Sequence, residues 1–325
     1  MTANLEEEIQ SADLETRLEG LKKIQSKLSS SSRFAKTLVD SPLLGIAVQR
    51  LANPQDKNIE ETQICKDIIA RGARFHPRVL DTLAADYFNE ILDALYASPN
   101  DESLVSIVES MSRSQSWIET VRQTTKLLDF LTRHARFAIL ERVPEAAIRE
   151  GAVPACVNFL SAPNVAEDRR VAALRFLLQA TYFPKGRNEA IEEGGVALVM
   201  DLAADNELSF RLRAPAIGIL NNLLQDPRHK AKHEAIQANA VHLLSCLLAT
   251  FFGLLRAADD GALPAVQVDL GLFTMHAIST LASDARSRKE MISLVQTLSC
   301  IEDLQPGPRI VAAVREALDR LRWTP

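Results

Sequence analysis

The side chains best suited to chemistry are six histidines, four cysteines and several closely spaced carboxylates and arginines. His229 and His233 have the i, i+4 spacing that puts two imidazoles on one helix face, as a zinc site requires. The segment Pro227-Arg-His-Lys-Ala-Lys surrounds them with cations, and no neighbouring carboxylate or thiol completes a ligand set, so a solvated basic turn is expected. His76, His134, His242 and His276 stand isolated among helical apolar residues and read as structural or surface groups. Cys65, Cys156, Cys246 and Cys300 are scattered without C-x-x-C, which excludes a disulfide framework or zinc knuckle and predicts buried thiols. Glu192-Glu193 and Asp259-Asp260 adjoin turns, where paired charge is usually solvated. Phosphate-cradling, dinucleotide, metalloprotease and nucleophile-elbow spacings are all missing. The residues therefore point away from an enzyme and require no cofactor, metal or small-molecule substrate.

The elements that must position these side chains are helices. Of 325 residues, 47% are hydrophobic but only 5% aromatic, and 12 Gly with 14 Pro leave few breaks. Leu and Ala, which lose little freedom in a helix, carry most of the apolar content. An all-α protein follows, and without a Gly/Ser- or Pro-rich linker it reads as one elongated body. The net charge of −5, from 37 Lys+Arg against 42 Asp+Glu, indicates no general attraction to nucleic acid or anionic membrane. The acidic start Met-Thr-Ala-Asn-Leu-Glu-Glu-Glu lacks a signal-peptide core. Val241 to Leu255 is apolar but shorter than the ~20 residues of a membrane span. The expectation is a soluble, cytoplasmic protein.

The first clear helix is predicted from Asp13, its cap, towards Leu28, with Leu14, Leu18, Leu21 and Leu28 inward and Glu15, Arg17, Lys22 and Lys23 in solvent. Further on, three segments superpose. They are Glu145-Ala-Ala-Ile148-Arg-Glu-Gly151-Ala-Val153, Asn188-Glu-Ala-Ile191-Glu-Glu-Gly194-Gly-Val196 and His233-Glu-Ala-Ile236-Gln-Ala-Asn239-Ala-Val241. Their Ile residues lie 43 and 45 residues apart, near the ~40–47 period of two- or three-helix repeats. Gly or Asn three residues after each Ile suits the left-handed conformation of a sharp helix stop. A further helix, such as Val171 to Leu178 or Ala216 to Leu223, completes each block, with Pro54, Pro99 and Pro163 in turns before third helices. No block can bury its apolar stripe alone, so each needs its neighbours.

These junctions and third helices resemble the armadillo-repeat family, with HEAT repeats as the alternative. The resemblance implies a right-handed, armadillo/HEAT-like helical solenoid over residues 1–325. Within it, 1–32 would be N-terminal capping helices, 33–140 divergent repeats, 141–285 regular repeats with an insertion near 251–264, and 286–325 a C-terminal capping repeat. Phe34 and Phe75, 41 residues apart, would begin successive N-terminal units, and one repeat between Trp117 and Leu140 would be shortened. In armadillo proteins the third helices line a groove in which Asn side chains hold an extended peptide. Here only Asn222 takes that position, while Gln179, Thr280 and Arg320 depart from the pattern and put nuclear-import-type cargo reading in doubt. Arg169, Arg170, Arg175, Arg211 and Arg213, near the starts of two adjacent third helices, would form a docking strip for acidic segments. Trp117 is expected in the core. Trp323 is either a lid on the last repeat or an anchor for a partner.

The final helix, Ala312 to Leu321, ends in Arg322-Trp323-Thr324-Pro325, and His276-Ala-Ile-Ser-Thr-Leu-Ala precedes Ser287-Arg-Lys-Glu-Met. These stretches are similar to the radial-spoke armadillo proteins of motile cilia. That resemblance implies a non-catalytic scaffold in the cilium or flagellum axoneme, with radial-spoke or other axonemal proteins as partners. The alternative is an armadillo-type chaperone or transport regulator that holds a soluble partner in its concave groove.

Overall fold

The computed structural model describes residues 2–52, 58–121, 124–258, 263–304 and 306–323. Among the described residues every regular element is a helix. The chain divides into two compact units, residues 1–134 and 135–325. Asp259-Asp260-Gly261, Pro54 and Thr324-Pro325 lie outside the described residues.

Unit 1 runs through α1 (Thr2–Gln10), α2 (Leu14–Ser30), α3 (Arg33–Val39), α4 (Leu43–Ala52), α5 (Ile59–Phe75), α6 (Pro77–Asp86), α7 (Phe88–Ala97), α8 (Glu102–Met111), α9 (Gln115–Val121) and α10 (Thr125–Arg133). Equivalent helices pack in series: α2 on α5 on α8, α4 on α7, and α3 on α6 on α9. The local cause is regular. Asp13, Asn58 and Asp101 cap α2, α5 and α8, their side-chain oxygens accepting from Thr16 N at 2.8 Å, Glu61 N at 2.9 Å and Ser103 N at 3.0 Å. The caps set the starts of α5 at Ile59 and of α8 at Glu102. Trp117, on α9, is fully buried.

Two expectations fail in this unit. Phe75 does not begin a repeat as Phe34 does: Phe34 is buried on α3, whereas Phe75 closes α5 and is 43% exposed. The break falls one residue later because His76 takes an extended conformation and Pro77 is preset for the first turn of α6. Arg17 does not lie in solvent. It is 8% exposed on the inner face of α2 with Leu21, Ile24 and Leu28, while Leu14 is 37% exposed. The helix is rotated so that Arg17 meets Glu61 of the next repeat, with Nε–Oε1 3.1 Å and Nη2–Oε2 3.3 Å.

Unit 2 opens with the four-residue α11 (Phe137–Leu140), followed by α12 (Pro144–Arg149), α13 (Ala152–Ser161) and α14 (Glu167–Ala180). Two regular triplets come next: α15 (Pro184–Glu192), α16 (Gly195–Ala204) and α17 (Phe210–Leu224), then α18 (Lys230–Gln237), α19 (Ala240–Ala257) and α20 (Ala265–Leu281). The last triplet is α21 (Ala285–Met291), α22 (Leu294–Asp303) and α23 (Pro308–Arg322). The third helices α11, α14, α17, α20 and α23 stack in order, as do the second helices α13, α16, α19 and α22. Polar bonds join one repeat to the next at about one period, as in Ser209 Oγ donating to Glu167 Oε1 at 2.6 Å, 42 residues away.

The three aligned junctions are left-handed: Gly151 at φ 76°, Gly194 at φ 77° and Asn239 at φ 64°. A Cβ at Gly151 or Gly194 would touch nothing within 4 Å, so the demand for glycine is purely a backbone one. Gly194→Ala is expected to destabilise unit 2 by about 1–2 kcal/mol, with Asn239→Gly neutral or stabilising. Urea unfolding of both variants checks this, and an unchanged Gly194→Ala midpoint would contradict it.

The residues that lengthen the third block continue α19 as helix to Ala257. At 18 residues the helix exceeds the stretch read from sequence and is, by length and composition alone, apolar enough to cross a membrane. Leu244, Leu247, Leu248 and Phe251 are buried on it, and it packs on α20 and α22.

Candidate functional site

The structure divides the five arginines rather than gathering them into one strip. Arg211 is an exposed residue of α17 whose guanidinium pairs with Asp168 at 2.9 Å and reaches Glu167 at 3.9 Å, both in the first turn of α14. Its charge is already largely answered. Arg169 lies over the Phe159 ring at 5.1 Å, and Arg170 donates from Nη2 to the Ala162 carbonyl at 3.3 Å while its buried Nε has no hydrogen-bond partner among the described residues. Arg175 is exposed near Glu141, whose pKa is raised because burial outweighs the attraction of Arg142 and Arg175.

Arg213 turns the other way. It is 6% exposed, its Nε donates to the Ala203 carbonyl at 3.1 Å, and its guanidinium lies 5.7 Å from the Phe210 ring centre. Burial lowers its pKa, with Asp205 opposing the shift. It closes one end of a cavity of about 400 Å³ between α16 and α19, lined also by Met200, Leu243, Cys246 and Leu247.

Asn222 is turned into the helix interface. It is 4% exposed, and its Nδ2 donates to Thr181 Oγ1 at 3.1 Å and the Leu178 carbonyl at 3.4 Å, joining α17 to the end of α14. Those bonds spend its amide donors on the repeat stack. Trp323 stacks on the Arg288 guanidinium of α21 at 4.8 Å but remains 56% exposed. It borders a cavity of about 410 Å³ with Ala282, Ser283, Arg288, Asp319 and Arg320.

The thiols split into two classes. Cys65 and Cys156 are buried; burial, reinforced by Glu61, pushes Cys65 up to about 12, and burial also raises Cys156. Cys246 and Cys300 are exposed, against the expectation of four buried thiols. Their helices are apolar enough to suggest burial, but each residue falls on the outward side. Cys246 Sγ lies 3.6 Å from His242 Nε2 on the same helix. His233 Nδ1 contacts the His229 carbonyl at 3.0 Å, and among the described residues no three His, Cys, Asp or Glu side chains form a metal-binding group.

Sequence reasoning missed a basic hollow in unit 1. A cavity of about 740 Å³ is lined by Arg71, Arg74 and Arg113 with Phe75 and Pro77. Asp67 pairs with Arg71 at 2.7 Å. The arginines are 42 and fewer residues apart in sequence, and only the packing of α5 beside α8 unites them.

No family model matches the chain, and no curated protein matches it by sequence. Among solved structures, the crystal structure of an engineered protein aligns over 98% of both chains at 15% identity and a TM-score of 0.56. A designed armadillo repeat protein aligns over 98% of this chain and 99% of its own at 14% identity and a TM-score of 0.42. Another, in complex with the peptide (KR)4, covers 98% of each chain at 14% identity and a TM-score of 0.41. With its series of three-helix blocks and left-handed junctions, the chain has an all-α, armadillo-like repeat fold.

Proposed function

We propose that this chain is a non-catalytic, protein-binding scaffold of the cytoplasm and, more narrowly, a structural subunit of the ciliary radial spoke. The observation that carries the reading is the end of unit 2, where the exposed Trp323 is held on Arg288 beside an open cavity. Tryptophan and arginine are the side chains that most often dominate protein interfaces, and a ring already oriented by a guanidinium loses little freedom on docking. Stacked repeats suit such a role because each repeat is stabilised by its neighbours and leaves its outer surface for partners. The similarity of the last helix and its Trp-Thr-Pro tail to radial-spoke armadillo proteins supports the narrower assignment.

Detergent-extracted axonemes test it. The chain is expected to sediment with them, and Trp323→Ala is expected to weaken its retention by about tenfold or more with little change in Tm. Recovery of the endogenous chain wholly in the detergent-soluble, non-ciliary fraction would remove the radial-spoke reading.

A further inference from the structure

We infer that the cavity between α16 and α19 is a docking site for a partner-protein segment that presents a carboxylate beside an aliphatic side chain. This deepens the scaffold function proposed above and rests on it. The central observation is Arg213. The residue is 6% exposed and lines the cavity, and among the described residues no carboxylate lies within ion-pair distance of it, Asp205 attracting it only from farther away. Its sole hydrogen bond to a described residue is from Nε to the Ala203 carbonyl, at 3.1 Å. A buried cation with no direct ion pair is costly, and an incoming carboxylate meets the two remaining guanidinium nitrogens in the geometry that favours bidentate pairing. Asp201 also lines the cavity but is exposed, so water screens its repulsion of an incoming anion.

The rest of the cavity specifies the apolar half of the ligand. Met200 on α16 faces Leu243 and Leu247 on α19, the helix on which only 33% of residues are buried despite its strongly apolar composition. A cavity of about 400 Å³ is within the usual range for a bound side-chain pair or small ligand, and an apolar wall with one fixed charge is the common design of such sites. A single acidic side chain would satisfy Arg213 but leave the Met200–Leu243 wall wet. A purely aliphatic one would bury the cation further without pairing it. The two features together select an acidic residue next to Leu, Ile or Val.

Cys246 is an exposed reporter inside the cavity, and Cys300 is an exposed control outside it. The probe is the capped pentapeptide Gly-Leu-Glu-Leu-Gly at millimolar concentration, with N-ethylmaleimide labelling of each thiol of the full chain followed by mass spectrometry. The peptide is expected to slow labelling of Cys246 about fivefold or more and to leave Cys300 unchanged, while its Gln counterpart protects less than about twofold. Arg213→Gln should abolish the protection. So should Ala197→Glu, which places a like charge at an exposed lining position and does not disturb the core. Equal protection by the Gln peptide, no protection by either peptide, or protection that persists in Ala197→Glu would overturn the proposal. Protection by free hexanoate but not by the peptide would overturn it in favour of a small-molecule cavity. If the peptide fails to protect while the chain still sediments with axonemes, the docking site falls and the scaffold reading stands.

Discussion

An Arg17→Leu chain is expected to lose about 3–5 kcal/mol of the stability of unit 1. The side chain forks onto Glu61 through two hydrogen bonds, and its Nη1 also donates to the carbonyls of Ser11 and Ala12 at 3.1 and 2.9 Å. Glu61 is 2% exposed, so the substitution strands a carboxylate in the contact between α2 and α5. Arg50 Nε stands 3.9 Å from Glu61 and offsets part of that cost, which argues for the lower end of the range. The decisive comparison is the double variant Arg17→Leu, Glu61→Leu. If the loss comes from an uncompensated charge rather than from missing packing, the double variant should regain most of it, because a buried pair replaced by apolar groups is often neutral. Urea unfolding followed by hydrogen exchange in α2 and α5 gives the measurement. A double variant as unstable as the single one would show that the pair acts through shape instead.

The second large effect is expected in unit 2, at Phe176. Its ring is fully buried on α14 and stacks on Phe137 with centroids 5.5 Å apart and an interplanar angle of 26°. Phe137 in turn meets Phe159 at 5.3 Å, and Arg169 covers Phe159. Phe176→Ala should cost about 3–5 kcal/mol, from lost transfer energy and the cavity left behind. The local consequence is sharper than the global one. Since α11 is four residues long, Phe137 is a large share of what holds it on α14, and its amides should exchange much faster in the variant. Phe176→Leu, which keeps more of the apolar bulk, should lose less than Phe176→Ala and leave α11 better protected. Equal exchange in both variants would mean that α11 is held by its ends and not by the ring cluster.

Local chemistry was legible in the sequence wherever a few adjacent residues decide the outcome. Gly151, Gly194 and Asn239 had to be left-handed because the chain turns sharply there, and Asp13 caps its helix because its own carboxylate reaches a free amide three residues on.

The candidate site was much less legible. Arg211 and Arg213 are two residues apart, yet one pairs with α14 and the other enters the cavity beside α16, because successive side chains on a helix point in widely different directions. Asn222 is in the expected register of a third helix, but the adjoining end of α14 supplies Thr181 as its partner and draws the amide inward.

The all-helical class, the repeat period and the joints were readable from the residues alone, since each depends on the backbone preferences of a handful of neighbours. Packing between repeats is what buries Arg17, exposes Phe75 and Cys246, and leaves a cavity before Arg213. Those outcomes depend on how far each helix is rotated about its axis. That rotation is set by contacts with the preceding and following repeats, about 40 residues away in the chain.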